Sequence, residues 1–265
     1  MAATDVSTPE PARAFAPSRR TQIVGVQVAT FLAVWACWEA LSRSGLLYDG
    51  VVPSSLAVFA AIGQHLVDPV FWDHMGRTAY EVGAGFAIGT TVGVALGLLM
   101  GMRRFLAAVV DPCVNTLAAT PKIVFLPIMM VLFGVGAGSK VAMAAISAFF
   151  PVAVSVYRGT LLVNPVLIRV ARSYNAGSWR IVRSIYLPSL VPPLLTGLRL
   201  GFGVAIVGTL LAETKLSNKG LGYLVIQAYA LFDMPKMYAL VIVLFVLSIA
   251  VNVLIGRLGG SAGDK

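Results

Sequence analysis

The segment from Asn164 to Pro188 reads NPVLIRVARSYNAGSWRIVRSIYLP and is set between long apolar runs. Asn164 followed by Pro165 predicts a helix start, with a side-chain cap and then proline at the first helical position. Asn175 predicts the end of that helix, because asparagine tolerates left-handed backbone. Ser178 is then expected to cap a second short helix that Leu187-Pro188 ends. The segment is therefore predicted to be a basic helix–turn–helix.

Both predicted helices are amphipathic. The first carries an apolar face made of Val166, Leu167, Val170, Ala171 and Tyr174. The second carries one made of Trp179, Ile181, Val182 and Ile185, with Arg180 and Arg183 opposite. Such a segment either docks a soluble partner or lies flat on a membrane surface, held there by its arginines and tryptophan.

The flanking runs predict a membrane protein. The 265 residues are 58% hydrophobic and only 12% charged, about half the charged share of a soluble domain. Runs of about 20 apolar residues are long enough to span a bilayer. Six predicted spans make the fold class an all-α six-span helical bundle: Thr21–Leu41, Tyr80–Gly101, Phe105–Phe133, Val141–Tyr157, Ser189–Ala212 and Met237–Ile255.

The third predicted span is longer than a bilayer needs and contains three prolines, Pro112, Pro121 and Pro127. Proline removes a backbone donor and kinks a helix. Neighbouring helices can satisfy the carbonyls that a kink leaves free. The span is therefore expected to be bent or broken.

Lysine and arginine orient the spans, because cytoplasmic loops carry an excess of both. With both termini in the cytoplasm, about 12 basic residues lie inside and about 6 outside, so the net charge of +9 is explained without a nucleic-acid partner. The outer basic set is Arg43, Arg77, Lys140, Lys215, Lys219 and Lys236. Residues 1–20 are predicted to be a disordered cytoplasmic tail, residues 21–73 the first span and an outer segment, and residues 259–265 a second tail.

Small residues recur along the second predicted span. Glycine stands at every fourth position, which forms a smooth stripe on one helix face: Gly85, Gly89, Gly93, Gly97 and Gly101. Such a stripe lets two helix backbones approach closely in lipid. It indicates either static packing or a helix that slides against its neighbour. Gly197 and Gly201 form a shorter version in the fifth span.

Few residues offer chemistry. Cys37 and Cys113 lie in apolar runs without metal-ligand spacing and are expected to be buried. His65 and His74 are expected to be loop residues rather than metal ligands. Glu39 and Glu213 stand at span ends, where solvation is the simpler account. Arg199 lies deeper and either lines a pathway, where it would attract an anion, or has a structural partner.

The residues from Val51 onward resemble the permease subunit of bacterial ABC importers, in the nitrate/sulfonate/taurine-type branch. The cytoplasmic loop of that family reads E-A-A-x3-G-x9-I-x-L-P. Anchored on Ile185, Leu187 and Pro188, its Glu-Ala-Ala falls on Arg169-Val170-Ala171 and its Gly on Asn175. Further matches in order along the chain are Val52-Pro53-Ser54, Trp179, Thr196 to Leu200, Leu211-Ala212-Glu213, Gly220 to Tyr223 and Gln227-Ala228.

The resemblance implies a type I importer fold, with residues 74–258 as the transmembrane domain and 164–188 as the loop that couples to an ATPase. Its candidate coupling residues are Arg169, Val170, Ala171, Asn175, Ala176, Gly177 and Trp179, and Arg199 and Glu213 are its candidate pathway residues. It also implies a second permease chain, a cytoplasmic ATPase dimer, an extracytoplasmic solute-binding protein and residence in the bacterial inner membrane. Arg169 departs from the pattern by reversing a charge at the ATPase contact.

ATP is expected to be bound and hydrolysed by the partner, because no G-x4-G-K-[ST] loop stands in the sequence. No catalytic residue, metal or cofactor is predicted. Two other classes of protein fit the sequence less well. A membrane enzyme needs a cluster of acids, histidines or nucleophiles, and these are few and scattered here. A stand-alone secondary transporter usually shows internal repeats and needs no docking loop.

Overall fold

The computed structural model describes residues 19–260 except Leu47 and Asp49, so the two predicted tails lie almost wholly outside the described residues. Within them the chain is helical, with no strand. The helices are α1 Arg19–Arg43, α2 Ser55–Val67, α3 Pro69–Met102, α4 Arg104–Ala119, α5 Leu126–Phe133, α6 Ala137–Leu161, α7 Pro165–Ser173, α8 Ser178–Ile181, α9 Leu187–Leu216, α10 Leu221–Ala230 and α11 Met234–Gly260.

Five described helices are long and apolar enough to cross a membrane, and a bent pair makes a sixth span. That pair consists of α4 and the segment Lys122–Phe133, which meet at an angle of 99°. The break follows Thr120 and Pro121, where α4 ends and a single 3₁₀ turn begins. The predicted six-span all-α fold is confirmed, and the third span is broken as its prolines predict.

Helix α6 lies at the centre of the bundle, with α3 packed along one side. The five glycines of α3 face it. A Cβ on Gly93 would lie 2.8 Å from the Phe149 carbonyl oxygen, and one on Gly97 would lie 2.6 Å from that of Ala153. Real side chains do not approach this closely, so the two backbones are in contact along about three turns.

Helix α9 packs on α6 in the same way from another side. A Cβ on Gly197 would lie 2.9 Å from the Ser155 side chain, and one on Gly201 would lie 3.1 Å from that of Val152. The centre of α6 is therefore built of small or β-branched residues such as Ala144, Ala148 and Val152, each fully buried. These three helices are therefore packed with their backbones close together.

The described residues divide into two compact units, one that ends at Ser55 and one that begins at Leu56. In the first unit, the Glu39 carboxylate forms an ion pair with Arg43 at 2.7 Å and accepts hydrogen bonds from the backbone and hydroxyl of Ser55. The Trp38 indole donates to the Pro53 carbonyl at 3.0 Å. Glu39 is therefore hydrogen-bonded as well as partly solvated.

Three sequence expectations differ from the structure. The second span begins at Pro69 rather than Tyr80, because Asp68 caps it and Pro69 occupies its first turn. His65 and His74 are helical, in α2 and α3, rather than loop residues. Cys37 and Cys113 are exposed, because they lie on outward faces of α1 and α4. Within the described residues no three of His, Cys, Asp and Glu form a group that could hold a metal.

Candidate functional site

Helix α7 begins as its sequence predicts. The Asn164 side chain accepts a hydrogen bond from the backbone N–H of Val166 at 2.9 Å, and Pro165 occupies the first turn. Asparagine here satisfies a donor that the helix itself leaves free, and proline loses nothing because its missing N–H would be unpaired.

Asn175 stops helix α7 as predicted: the helix ends at Ser173, Tyr174 follows as its C-cap, and Asn175 then has a φ of +54°. The N–H of Ala176 donates to the Ala171 carbonyl and that of Asn175 to the Arg172 carbonyl, each at 3.0 Å. These two bonds define a Schellman motif, which needs a left-handed residue at this position. Asn175 stands where the family pattern has glycine, and it preserves the turn.

The start of the second helix differs from the prediction. Gly177 rather than Ser178 is the residue before α8, and no side chain caps it. Ser178 is already the first helical residue, because the Schellman turn directs the chain straight into the next helix. Gly177 has an extended backbone with φ −62° and ψ 157°.

The prediction that Leu187-Pro188 ends this helix is also wrong. Helix α8 continues through a π-helical turn, Val182–Tyr186, directly into α9. In that turn the Leu187 N–H donates to the Val182 carbonyl, five residues back. The wider turn gives room for the ring of Pro188, which would clash in a regular helix. Residues 178–215 thus form one continuous helix of 38 residues.

The loop packs on the bundle through one set of apolar residues. Ile181, Val182 and Tyr186 are buried against Val152 and Val156 of α6. Partly buried side chains that complete this contact are Ile168, Ala171, Ala176 and Ile185. The base of the loop is therefore fixed to the central helix rather than held loosely at its surface.

A second set of apolar residues in the loop faces away from the bundle. Val166, Leu167 and Val170 are about half exposed, whereas Tyr174 is 81% and Trp179 73% exposed. The prediction that Trp179 shares a face with Ile181 and Val182 is wrong, because a residue two positions further along a helix points about 200° away. We call these five outward residues, Val166, Leu167, Val170, Tyr174 and Trp179, the docking face.

The arginines of α7 lie on a third side. Arg169 and Arg172 line an open cavity of about 830 Å³ between α7 and α4, together with Arg104 and Asp111. The Asp111 carboxylate already accepts a hydrogen bond from Asn115 at 2.8 Å. Arg169, the residue that departs from the family pattern, therefore stands beside the docking face in a basic groove.

The two candidate pathway residues are not brought together. Arg199 is exposed on α9, and its guanidinium lies against Gly256 of α11. Glu213 is fourteen residues further along α9, about 21 Å away at 1.5 Å per residue. Arg199 therefore has a structural neighbour, the transmembrane helix α11, where Gly256 leaves room for its guanidinium.

Glu213 is fully buried, so the expectation that it is solvated is wrong. Its Oε1 accepts a hydrogen bond from the Thr78 hydroxyl at 2.7 Å, and its Oε2 accepts one from the Gly222 N–H, also at 2.7 Å. The loop between α9 and α10 folds back over the end of α9 and closes the carboxylate off from solvent. We call this group the polar junction; its members are His74, Thr78, Glu81, Lys140, Glu213 and the backbone of 220–222.

The remaining junction residues hold the same loop. His74 Nδ1 accepts a hydrogen bond from the Gly220 N–H at 2.9 Å, and its ring stacks on Tyr223. The Thr78 hydroxyl oxygen accepts one from the Leu221 N–H at 2.8 Å. Three consecutive backbone donors are therefore bound by side chains from α3 and α9. Gly220 has a φ of +108°, which only glycine adopts readily.

Two further charged side chains complete the polar junction. Glu81 is 1% exposed and pairs with Arg77 at 2.8 Å. Lys140, one of the outer basic residues, is 3% exposed in the first turn of α6. Its ammonium donates to the Val135 carbonyl.

Sequence reasoning missed the polar junction, although α3 carried a signal. His74, Thr78 and Glu81 continue the line of the glycine stripe toward the start of α3, at helical spacing. If the glycine stripe shows which face of α3 is buried in one half of the helix, the same face is expected to be buried in the other half. The polar residues on that line were therefore candidates for burial.

The comparison with known families decides the identity of the chain. Residues 89–260 match the family described as "binding-protein-dependent transport system inner membrane component". The chain belongs to this family. It is thus a multi-pass inner-membrane protein and the permease component of a transport system, not an enzyme, as the loop residues indicated.

Curated relatives are permeases of the same kind. The chain is 29% identical to the taurine transport system permease protein of Escherichia coli, over 77% of this chain and 76% of the relative. It is 26% identical to a putative aliphatic sulfonates transport permease protein of Bacillus subtilis, over 78% and 75%. It is 29% identical to a formylaminopyrimidine transport permease protein of Halalkalibacterium halodurans, over 83% and 87%.

The fold matches a solved importer. An inward-facing structure of the MetNI methionine ABC transporter superposes with a TM-score of 0.66, covering 74% of this chain and 98% of that chain at 19% identity. The predicted type I importer fold is therefore confirmed. The family match also confirms the importer permease over the stand-alone carrier.

Proposed function

We propose that the chain moves a small anionic solute into the cell by alternating access, driven by a cytoplasmic ATPase pair that docks on the Asn164–Pro188 loop. A solute-binding protein delivers the solute on the outer side, and a second permease chain, most simply another copy, completes the pathway. The chain itself performs no covalent chemistry. The observation that carries the proposal is the docking face joined to a continuous transmembrane helix.

The docking face supports a soluble protein partner rather than a flat contact with lipid. It projects Tyr174 and Trp179 away from the bundle while Ile181 and Val182 anchor the loop. Aromatic side chains in exposed positions on a rigid base are typical energetic centres of protein interfaces. The ATPase is proposed to be a separate subunit, since the chain has no phosphate-binding loop.

The continuity of α8 with α9 supports a direct transfer of motion. A push on Trp179 acts on the same helix that carries Arg199 and Glu213. Helix α9 packs on α6 and α6 on α3, in both cases through small residues, so these helices can shift as packed bodies between discrete arrangements. ATPase closure is proposed to reorient the spans in this way.

Basic residues support an orientation with the loop and both termini in the cytoplasm. Arg169, Arg172, Arg180 and Arg183 stand at the loop end of the bundle, as do Arg103, Arg104, Arg158 and Arg257. The polar junction then lies at the outer end, where the binding protein is proposed to dock. An anionic solute is favoured by the taurine and sulfonate relatives and by Arg199, exposed on a spanning helix.

The proposal is tested by gentle detergent extraction of the tagged chain from its native membrane, followed by mass spectrometry of the proteins that come with it. We expect an ATPase, a solute-binding protein or both. The recovered binding protein is then screened against taurine, alkanesulfonates and nitrate, and the solute it binds is used in uptake assays with reconstituted vesicles. Recovery of the chain alone in several mild detergents would contradict the docking role of the loop.

A further inference from the structure

We propose that Glu81 and Glu213 share a single proton, and that this carboxyl pair is a latch that fixes the loop between α9 and α10 against α3. The latch is independent of which solute is moved and of the ATPase partner. It concerns the outer end of one chain, where side chains from α3, α6 and α9 meet the loop backbone.

The two carboxyl groups face each other: Glu81 and Glu213 are 1% and 0% exposed, and Glu213 binds Thr78, which lies one turn before Glu81 on the same face of α3. Two ionised carboxylates have only acceptors, so such a contact requires a proton on one of them. Like charges at this distance in a buried place cannot both remain ionised, which is why paired carboxyls in proteins hold one proton between them.

The neighbouring donors are already used. The Thr78 hydroxyl donates to Glu213 Oε1, and the Gly222 N–H donates to Glu213 Oε2. Arg77 donates to Glu81 Oε1. Glu81 Oε2 is buried and has no hydrogen-bond partner among the described residues. A carboxyl proton is the donor that this arrangement needs.

Charged neighbours limit the pair to one proton rather than two. The charges of Arg77 and Lys140 both act on the Glu81 carboxyl, and that of Lys140 also acts on Glu213. Two cations beside two neutral acids would be uncompensated in a buried site. The other titratable groups around the pair are His74, whose Nδ1 binds Gly220, and the Asp73–Lys219 ion pair at 3.0 Å on the surface.

The proton controls the loop because Glu213 binds it directly. Without the proton, the two carboxylates repel each other, and a movement of Glu213 that relieves this repulsion breaks its bonds to Thr78 and Gly222. The loop is therefore fixed while the proton is present and loosened when rising pH removes it. His74 and Thr78 hold the adjacent donors and do not depend on this proton.

Infrared spectroscopy of the purified full-length chain tests the shared proton. We expect a carboxylic-acid C=O band at neutral pH that shifts in heavy water and disappears as the pH is raised. Glu81→Gln and Glu213→Gln should each remove the band, because an amide replaces the proton as donor. Glu39→Gln, which changes an acid paired with Arg43 elsewhere, should leave it. Absence of the band in the wild type, or its persistence in both junction variants, would overturn the shared proton.

Hydrogen–deuterium exchange tests the latch. The Gly222 amide, which donates to Glu213, is compared between wild type and Glu81→Gln at the same pH, so that the chemical effect of pH on exchange cancels. At high pH we expect exchange in the wild type to be faster by about fivefold or more, the lower end of what a lost buried contact costs. Amides of 174–177 in the other loop serve as the control. Equal exchange in the two proteins at every pH would overturn the latch. If a variant fails to fold, the infrared titration of the wild type still shows whether the carboxyl pair holds a proton.

Discussion

At the scale of single residues, Asn175 decides the shape of the docking loop. Its φ of +54° lets two backbone N–H groups cap α7, and the same turn sends the chain into α8. The family pattern has glycine at this position, and asparagine is the residue that best replaces it where left-handed backbone is needed. The turn is therefore conserved in geometry although its residue differs.

Asn175→Pro should abolish transport and leave membrane insertion intact. Proline fixes φ near −65° and has no N–H, so both the left-handed turn and the bond to the Arg172 carbonyl are lost. Uptake in vesicles and the amount of chain in the membrane fraction are the two measurements. Asn175→Gly is the matched control and should transport normally. Normal uptake by the proline variant would refute the role of the turn in docking.

Arg169 is the second residue of interest, because the family pattern has a glutamate at this position and arginine carries the opposite charge. It lines the basic groove with Arg104 and Arg172, next to the docking face. We expect the partner ATPase to place an acidic side chain in this groove, which makes Arg169 its direct counter-charge.

Arg169→Glu should then lower the stimulation of ATPase activity in the reconstituted complex by about thirtyfold or more, since a truncated or reversed interface charge costs on the order of 2 kcal/mol or more. The stimulated rate at low and high salt is the measurement. Arg183→Glu, an exposed arginine of the same loop outside the groove, is the control. Unchanged stimulation would indicate that the contact is steric and apolar instead.

At the scale of helices, the pairing of α3 with α6 carries the fold. Five glycines on one face bring α3 so close that the backbone of α6 is its neighbour. The stripe is predictable from spacing alone, because residues four positions apart lie on nearly the same face of any α-helix. Its partner was not predictable, since nothing local in α3 says which of the other spans will present the matching small residues Ala144, Ala145 and Ala153.

Gly93→Ala should destabilise the chain by about 1–3 kcal/mol, the usual cost of adding a methyl group where there is no room. The measurement is the midpoint of thermal unfolding in detergent. Gly83→Ala on the same helix is the control, because a Cβ there meets nothing within 4 Å. Alanine in an open helical position stabilises by up to about 1 kcal/mol. Opposite signs for the two variants are therefore expected, and equal midpoints would contradict the close packing.

The ends of helices were predicted unevenly, for a physical reason. Caps and left-handed stops depend on a few adjacent residues, so the helix start at Asn164 and the helix stop at Asn175 are predicted correctly. The helix stop predicted at Pro188 is wrong, because a π-helical turn accommodates this proline inside a continuous helix. That solution depends on the packing of Ile181 and Tyr186 against α6, which sequence spacing does not reveal.

At the scale of the whole molecule, the chain joins a docking face at one end to the polar junction at the other. The family and fold were predictable because several motifs occur in order over four-fifths of the chain. The polar junction was not, because its members come from positions as distant as Thr78 and Gly222 and meet only when the bundle is assembled.

Val170→Asp should reduce the recovery of the ATPase with the tagged chain by about tenfold, since a charge in the apolar centre of an interface costs on the order of 1–2 kcal/mol. Asn218→Asp adds the same charge to the exposed loop at the opposite end and should leave recovery unchanged. Quantitative mass spectrometry of both complexes is the measurement. Equal recovery from the two variants would place the ATPase contact elsewhere.

The continuous helix from Ser178 to Lys215 has a thermodynamic consequence. Its first turn carries Trp179, and its last turns carry Glu213, which binds the loop at the far end. If a partner at one end binds one arrangement of this helix more tightly, it must change the affinity of any partner at the other end by the same factor. Two proteins on opposite faces of a membrane would then sense each other through about 57 Å of one helix, at 1.5 Å for each of its residues, without any solute between them.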